Sequence, residues 1–207
     1  MHGTCGKKRD LFQHGKVRLI GTNVYANLED EIAVHPSSEV DIALPFETDD
    51  IIPLEGRRLA EDFEKLRMAS LRYKEKQGEL PRAGLICLGN LKAYKPKADF
   101  IKGFLAAGGI EGIERPCATQ EEAWQFMKET HFQHYVVCGS DEEYHNELAS
   151  WLEAYDENTA KATIFMAGRQ KGRDEELFLS LGVKDFISLS SNSISILTAI
   201  LKDLEVL

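Results

Sequence analysis

From Arg82 to Leu207, short apolar runs alternate with stretches of helical spacing, and this alternation restricts the possible folds more than any other feature of the chain. Leu85–Leu88, Ile110–Ile113, Tyr135–Cys138, Thr163–Met166 and Phe186–Leu189 read as five strands. Each is short and almost wholly apolar, so both of its faces need cover. Helices are expected between them. One spans residues 98–107. Two open on capping boxes, Thr119-Gln120-Glu121-Glu122 and Ser140-Asp141-Glu142-Glu143, in which a hydroxyl and a carboxylate satisfy orphan amides. A fourth carries Leu177, Phe178 and Leu181 inward and stops at Gly182, and the last buries Ile196, Leu197, Ile200, Leu201 and Leu204. Right-handed crossovers leave few arrangements. The expected fold is α/β: a flavodoxin-like, doubly wound parallel sheet in the order 2-1-3-4-5. Its binding crevice would lie at the carboxyl ends of strands one and three.

Upstream the texture changes. Leu59, Phe63, Leu66, Ser70 and Tyr73 recur at helical spacing over residues 57–77, Gly78 supplies a stop and Pro81 bars continuation. Residues 1–55 have little periodicity; Val17–Gly21 and Val40–Leu44 are short strand candidates separated by turn residues. A stretch of that length without regular structure is unusual inside a compact domain. The chain therefore divides into an extended arm with an amphipathic linker helix, 1–80, and an α/β domain, 81–207. Val17, Leu19, Ile20, Val40, Ile42, Leu44 and Phe46 are expected to pack across that domain or a second chain, because exposed they would form an apolar patch.

Charge and cysteine usage exclude some classes. With 34 acidic and 25 basic residues the net charge is -9, which opposes nucleic acid as a main partner. Lys7-Lys8-Arg9 is too short to change that and reads as a solvated tail. No apolar run approaches the ~20 residues of a membrane span, and Met1–Gly6 has no apolar core of the kind a signal peptide carries. Cys5, Cys87, Cys117 and Cys138 form no C-x-x-C pair. Free thiols in a reducing cytoplasm, with no metal site, are expected.

The crevice itself lacks familiar chemistry. After strand one, Asn90-Leu91-Lys92-Ala93-Tyr94-Lys95-Pro96-Lys97 reads as a loop with no histidine and no carboxylate before Asp99. A phosphoacceptor domain would need acidic residues there; Asp141 follows strand three but reads as the first turn of a capped helix. A flavin phosphate would need hydroxyls in that loop. Ala167–Arg173 is basic and contains glycine, and could hold an anion, but a plain loop fits it better. A Ser140–His145 pair has no third group to orient it, and capping explains Ser140 better. His2, His14, His35 and His131 show no ligand spacing.

Several segments, taken in order, resemble the C-terminal cobalamin-binding region of methylmalonyl-CoA mutases. They are Leu88-Gly89-Asn90, Phe100 to Glu111, Ala118-Thr119-Gln120-Glu121-Glu122-Ala123 and Leu181 to Ile187. Gly21–Tyr25 and Arg58–Arg67 resemble the stretch that follows the catalytic barrel in the same family. Cobalamin-binding members carry D-x-H-x-x-G after strand one, where the histidine becomes the lower cobalt ligand, the aspartate orients it and the glycine makes room for the nucleotide tail. Those positions here are Leu91, Ala93 and Pro96. The family's serine after strand three falls at Cys138, with Ser140 two residues on. Its paired glycines after strand four fall at Ala167 and Gly168, and its glycine-rich turn after strand five becomes Ser188-Leu189-Ser190-Ser191. This pattern is similar to the small (β) subunit of the heterodimeric enzyme. The resemblance implies a non-catalytic C-terminal portion of that subunit, since the chain is too short for the barrel's ~250 residues. It further implies a large catalytic subunit as partner, adenosylcobalamin held in the parent complex, and no cofactor or metal bound by this chain. Self-association of the isolated chain also stays open. Two other readings do too: an active cobalamin mutase domain, which needs a replacement ligand near Ala93, and a free-standing anion-binding module using Lys92, Lys95 and Arg169.

Overall fold

The computed structural model describes residues 10, 11, 13, 14, 17–19, 22–24, 28, 60–153 and 162–207. Five parallel strands run in the order β2-β1-β3-β4-β5: β1 Arg82–Leu88, β2 Glu111–Cys117, β3 His134–Cys138, β4 Thr163–Ala167 and β5 Val183–Ile187. Helix α1 is Glu61–Gln77, α2 Leu91–Ala106, α3 Gln120–Thr130, α6 Arg173–Ser180 and α7 Ser193–Asp203. Between β3 and β4, α4 (Asp141–Glu143), a π-helical stretch Tyr144–Leu148 and α5 (Ala149–Glu153) follow one another without a break.

Alternation along the strands feeds two cores. Leu85, Cys87, Val136, Cys138, Phe165 and Ile187 face one side, where α1, α2 and α7 bring Phe63, Ile101, Leu105, Leu197 and Leu201. Ile86, Leu88, Tyr135, Val137, Met166 and Phe186 face the other, under α3, the π-helical stretch, α5 and α6 with Phe126, Leu148, Trp151 and Phe178. Strands β1, β3 and β4 are covered on both faces and read as continuous apolar runs.

Helix α1 belongs to the first of these layers. Phe63 is 1 % exposed and packs with Ala107 and Ile110 in that core. The Arg67 guanidinium donates to the carbonyls of Thr22 and Ala107, both at 3.1 Å, and burial lowers its pKa to about 9. The Ser70 hydroxyl donates to the Gly108 carbonyl at 2.8 Å. Gly109, at φ +76°, passes so close that a Cβ there would lie 2.8 Å from that of Ser70. The helix is thus clasped to the α2–β2 turn.

Several expectations need correction. Helix α2 starts at Leu91, seven residues before the expected 98. Strand β2 continues past Ile113 to Cys117, because it is an edge strand whose outer half carries Glu114 and Arg115. Strand β5 covers Val183–Ile187, so Ser188 and Leu189 lie beyond it. Leu177 is 40 % exposed, and Phe178 alone fills the core from α6. Thr119 caps α3 through the Glu122 amide, but the Glu122 carboxylate accepts from Ala118, one residue further back than a capping box requires. In the arm, Asp10, Leu11 and Gln13 have helical backbone and Thr22–Asn23 a turn, where an extended chain was expected. Val17 and Leu19 are 36 % and 43 % exposed, so their burial is not observed. Ile20, Val40, Ile42, Leu44 and Phe46 lie outside the described residues.

Candidate functional site at the carboxyl edge of the sheet

The topological crevice is closed by its own side chains. Strand β1 leaves the sheet through Gly89, at φ +77°, where a Cβ would meet the Glu143 carboxylate at 2.3 Å. The left-handed φ there favours glycine. Asn90 then caps α2, its side-chain oxygen accepting from the amides of Lys92 and Ala93 at 3.0 and 3.2 Å. What reads as a loop is therefore the first two turns of a helix. Leu91 is its first residue and 60 % exposed; Ala93 is its third and half-buried; Pro96 is its sixth and exposed. Tyr94 turns inward at 5 % exposure.

Strand β3 ends at Cys138, which is fully buried and stands opposite Cys87 on β1. Its hydrogen bond with the Cys87 thiol, followed by burial, holds the Cys138 thiol well above the ordinary range. It is no nucleophile. Ser140 is fully engaged in a capping box with Glu143, its amide 2.9 Å from the carboxylate and its hydroxyl also bonded to it. His145 pairs with Asp174 at 3.6 Å instead of with Ser140. The two do not form a catalytic pair.

Tyr144, fully buried, occupies the space between β3 and β4. Its hydroxyl lies 2.8 Å from the Ala167 carbonyl and 3.2 Å from that of Val137, and it accepts the Gly139 amide at 3.1 Å. Burial pushes its phenol far above the usual value. Lys97 reaches across from α2, its ammonium 4.3 Å from the Tyr144 ring centroid and 3.2 Å from Asp141 Oδ1. That ammonium is the chief reason the Asp141 carboxyl titrates below its ordinary value. Ala167 is buried and gives its carbonyl to Tyr144; Gly168 follows, its amide donating to Ile187 at 2.8 Å.

At the end of β5 the serines turn on themselves. Ser188 and Ser190 hydroxyls lie 3.0 Å apart, and the Ser188 amide donates to Ser191 Oγ at 2.9 Å. An open cavity of about 260 Å³ lies here, with Arg169, Asp185, Ser188, Ser190 and Ser195 among its walls. The three expected anion-binding cations are not gathered. Lys95 pairs with Asp99 and Glu114 beside the β2 edge, whereas Arg169 lines the cavity at β5, the opposite edge of the sheet. The positions matched to a cofactor site lie at the carboxyl edge, and Leu91, Ala93 and Pro96 carry no side-chain atom that could ligate a metal. Among the described residues no group of three or more His, Cys, Asp or Glu side chains could hold a metal ion. The plug formed by Tyr144 and Lys97 was not foreseen from sequence; the aromatic four residues after a β3 cap was legible only as a core residue.

No family model and no curated protein matches this chain. Solved structures similar to it include a CheY-like protein from Pseudomonas aeruginosa PAO1, 15% identical, over 59% of this chain and 92% of that one, with TM-score 0.45. A cobalamin-binding protein from Desulfitobacterium hafniense DCB-2 is 12% identical, over 70% of this chain and 71% of that one, with TM-score 0.46. A response regulator from Desulfuromonas acetoxidans is 22% identical, over 61% and 98%, with TM-score 0.40. At this distance they carry no argument about ligand or activity, and the flavodoxin-like assignment rests on the strand order itself.

Proposed function

We propose that this chain is a non-catalytic C-terminal portion of the small subunit of an adenosylcobalamin-dependent methylmalonyl-CoA mutase, with a structural role beside the large catalytic subunit. The ordered resemblance of segments along 82–207 supports the family. One observation carries the non-catalytic part: Ala93, at the position of the axial histidine, is the third residue of a capped helix and offers only a methyl group. An imidazole ligand also needs a partner to fix its tautomer, and Leu91, at the aspartate position, has no polar atom. Tyr144, bonded to the ends of β3 and β4, occupies the space beside them that a nucleotide tail would enter. The hydrogen bonds of Tyr144, Ser140 and Glu143 close the edge between β3 and β4. The test is association and turnover together. The purified chain should form a stoichiometric complex with the large mutase subunit in sedimentation, and alone should not convert methylmalonyl-CoA in the presence of adenosylcobalamin. Failure to associate at tens of micromolar (a weak limit for a constitutive subunit pair) overturns the reading, as does cofactor-dependent turnover by the chain alone.

A further inference from the structure

The amino edge of the sheet holds a feature that no subunit role requires. His134 opens β3, the central strand, and is 1 % exposed. Among the described residues neither of its ring nitrogens has a hydrogen-bond partner. Buried imidazoles ordinarily donate from one nitrogen and accept at the other, and each orphaned polar atom is destabilising. On one side the ring meets Phe165 of β4, centroids 6.0 Å apart. On the other lies the last residue of α7, Asp203, whose carboxylate is 3.7 Å from Nε2. That is beyond hydrogen-bond reach. Among the described residues Asp203 is the charged group that faces this ring; β4 presents Thr163, the register partner of His134, and the Phe165 ring, neither of them charged, and the neighbouring strand β1 presents apolar Ala83 and Gly84.

We propose that His134 and Asp203 form an acid-sensitive latch between the start of the central strand and the end of α7. With the imidazole neutral, the ring packs as an apolar body under α7. A proton on it places a cation in a dry site. The one counter-charge at hand is 60 % exposed, so solvent screens it and it offsets only part of the burial penalty. The cation therefore leaves the site, and the C-terminal end of α7 is released from the strand. The direction of titration agrees: burial lowers the His134 pKa below 6.5, with Asp203 opposing more weakly. Because the folded value is the depressed one, the stabilisation is complete above about pH 7 and is lost as pH falls through the unfolded value near 6.5.

The test compares the full chain with His134→Gln and Asp203→Asn. For the wild type, the folding equilibrium constant should fall below pH 6.5 by up to about tenfold per pH unit more than for His134→Gln, one extra proton being taken up on unfolding. Hydrogen exchange at residues 200–206 should accelerate on acidification in the wild type only. If His134→Gln does not fold, the imidazole C–H resonance of wild-type His134 decides. A midpoint below 6.5 that moves lower still in Asp203→Asn supports the latch. A midpoint at or above 6.5, or no movement in Asp203→Asn, overturns it, and so does equal acid sensitivity of wild type and His134→Gln.

Discussion

The two ends of the sheet treat their polar groups in opposite ways. At the carboxyl edge, where this fold ordinarily meets ligands, the Tyr144 hydroxyl has three backbone partners, Ser140 and Glu143 cap each other, and Lys97 is paired with Asp141. At the amino edge, where the fold ordinarily has only structural turns, Arg67 is desolvated enough to lower its pKa to about 9 and His134 is buried with both nitrogens unpartnered. At the carboxyl edge these groups satisfy one another. At the opposite edge Arg67 is bonded to the Thr22 and Ala107 carbonyls, and His134 is the buried group with something left to respond with. Topology alone thus says where a ligand would bind, and the state of the side chains says whether one is needed.

The largest expected effect breaks the amino edge. Phe63→Ala removes the buried anchor of α1, the helix that presents Arg67 and Ser70 to the α2–β2 turn. The loss of transfer energy and the cavity left behind should cost about 3–5 kcal/mol, read as a fall in the denaturant midpoint at constant m-value. A loss under about 1 kcal/mol would mean that α1 is not clasped to the domain. Tyr144→Phe tests the other edge. It keeps the ring but removes the hydroxyl that accepts the Gly139 amide and faces the Ala167 and Val137 carbonyls, which should cost about 1–3 kcal/mol. A neutral result would show that these groups reach solvent, and that the crevice is open.

The smallest effect is Lys97→Met. The Asp141 side chain is 77 % exposed, so the pair should contribute only about 0.2–1 kcal/mol. Its sign with pH is fixed. The Asp141 carboxyl is held below its ordinary value chiefly by Lys97, so this stability is present above the unfolded carboxyl value near 3.9 and lost as pH falls through the folded value. Wild type and variant should therefore differ slightly at neutral pH and converge in acid. Divergence in acid would contradict the pairing.

Much of this contrast was readable in the sequence, and the remainder was not for identifiable reasons. The strand order and the two-sided core follow from uninterrupted apolar runs such as Leu85–Leu88 and Tyr135–Cys138. The extent of β2 was hidden because its outer half is an edge carrying Glu114 and Arg115, which no apolar-run criterion admits. The start of α2 was hidden by Pro96, which reads as a breaker; Asn90 nucleates the helix ahead of it and the proline is carried as its sixth residue. The side chains at Leu91, Ala93 and Pro96 were legible as lacking the family's ligating chemistry. The groups that close the crevice were not, because Tyr144 and Lys97 are 47 residues apart and meet only after β1 and β3 pair. His134 opens β3, at the far end of the sheet from the crevice. Its unpartnered burial depends on α7 returning to cover it, which no local pattern records.

The central claim is that the carboxyl edge holds no cobalt-ligating site. Titrating the full chain with adenosylcobalamin while following the visible spectrum tests it most directly. We expect no saturable base-off, histidine-on spectrum at micromolar protein. The same is expected for Ala93→His, because Leu91 and Pro96 still oppose the cofactor and Tyr144 still fills the space. A saturable histidine-ligated spectrum from the unaltered chain would contradict the account.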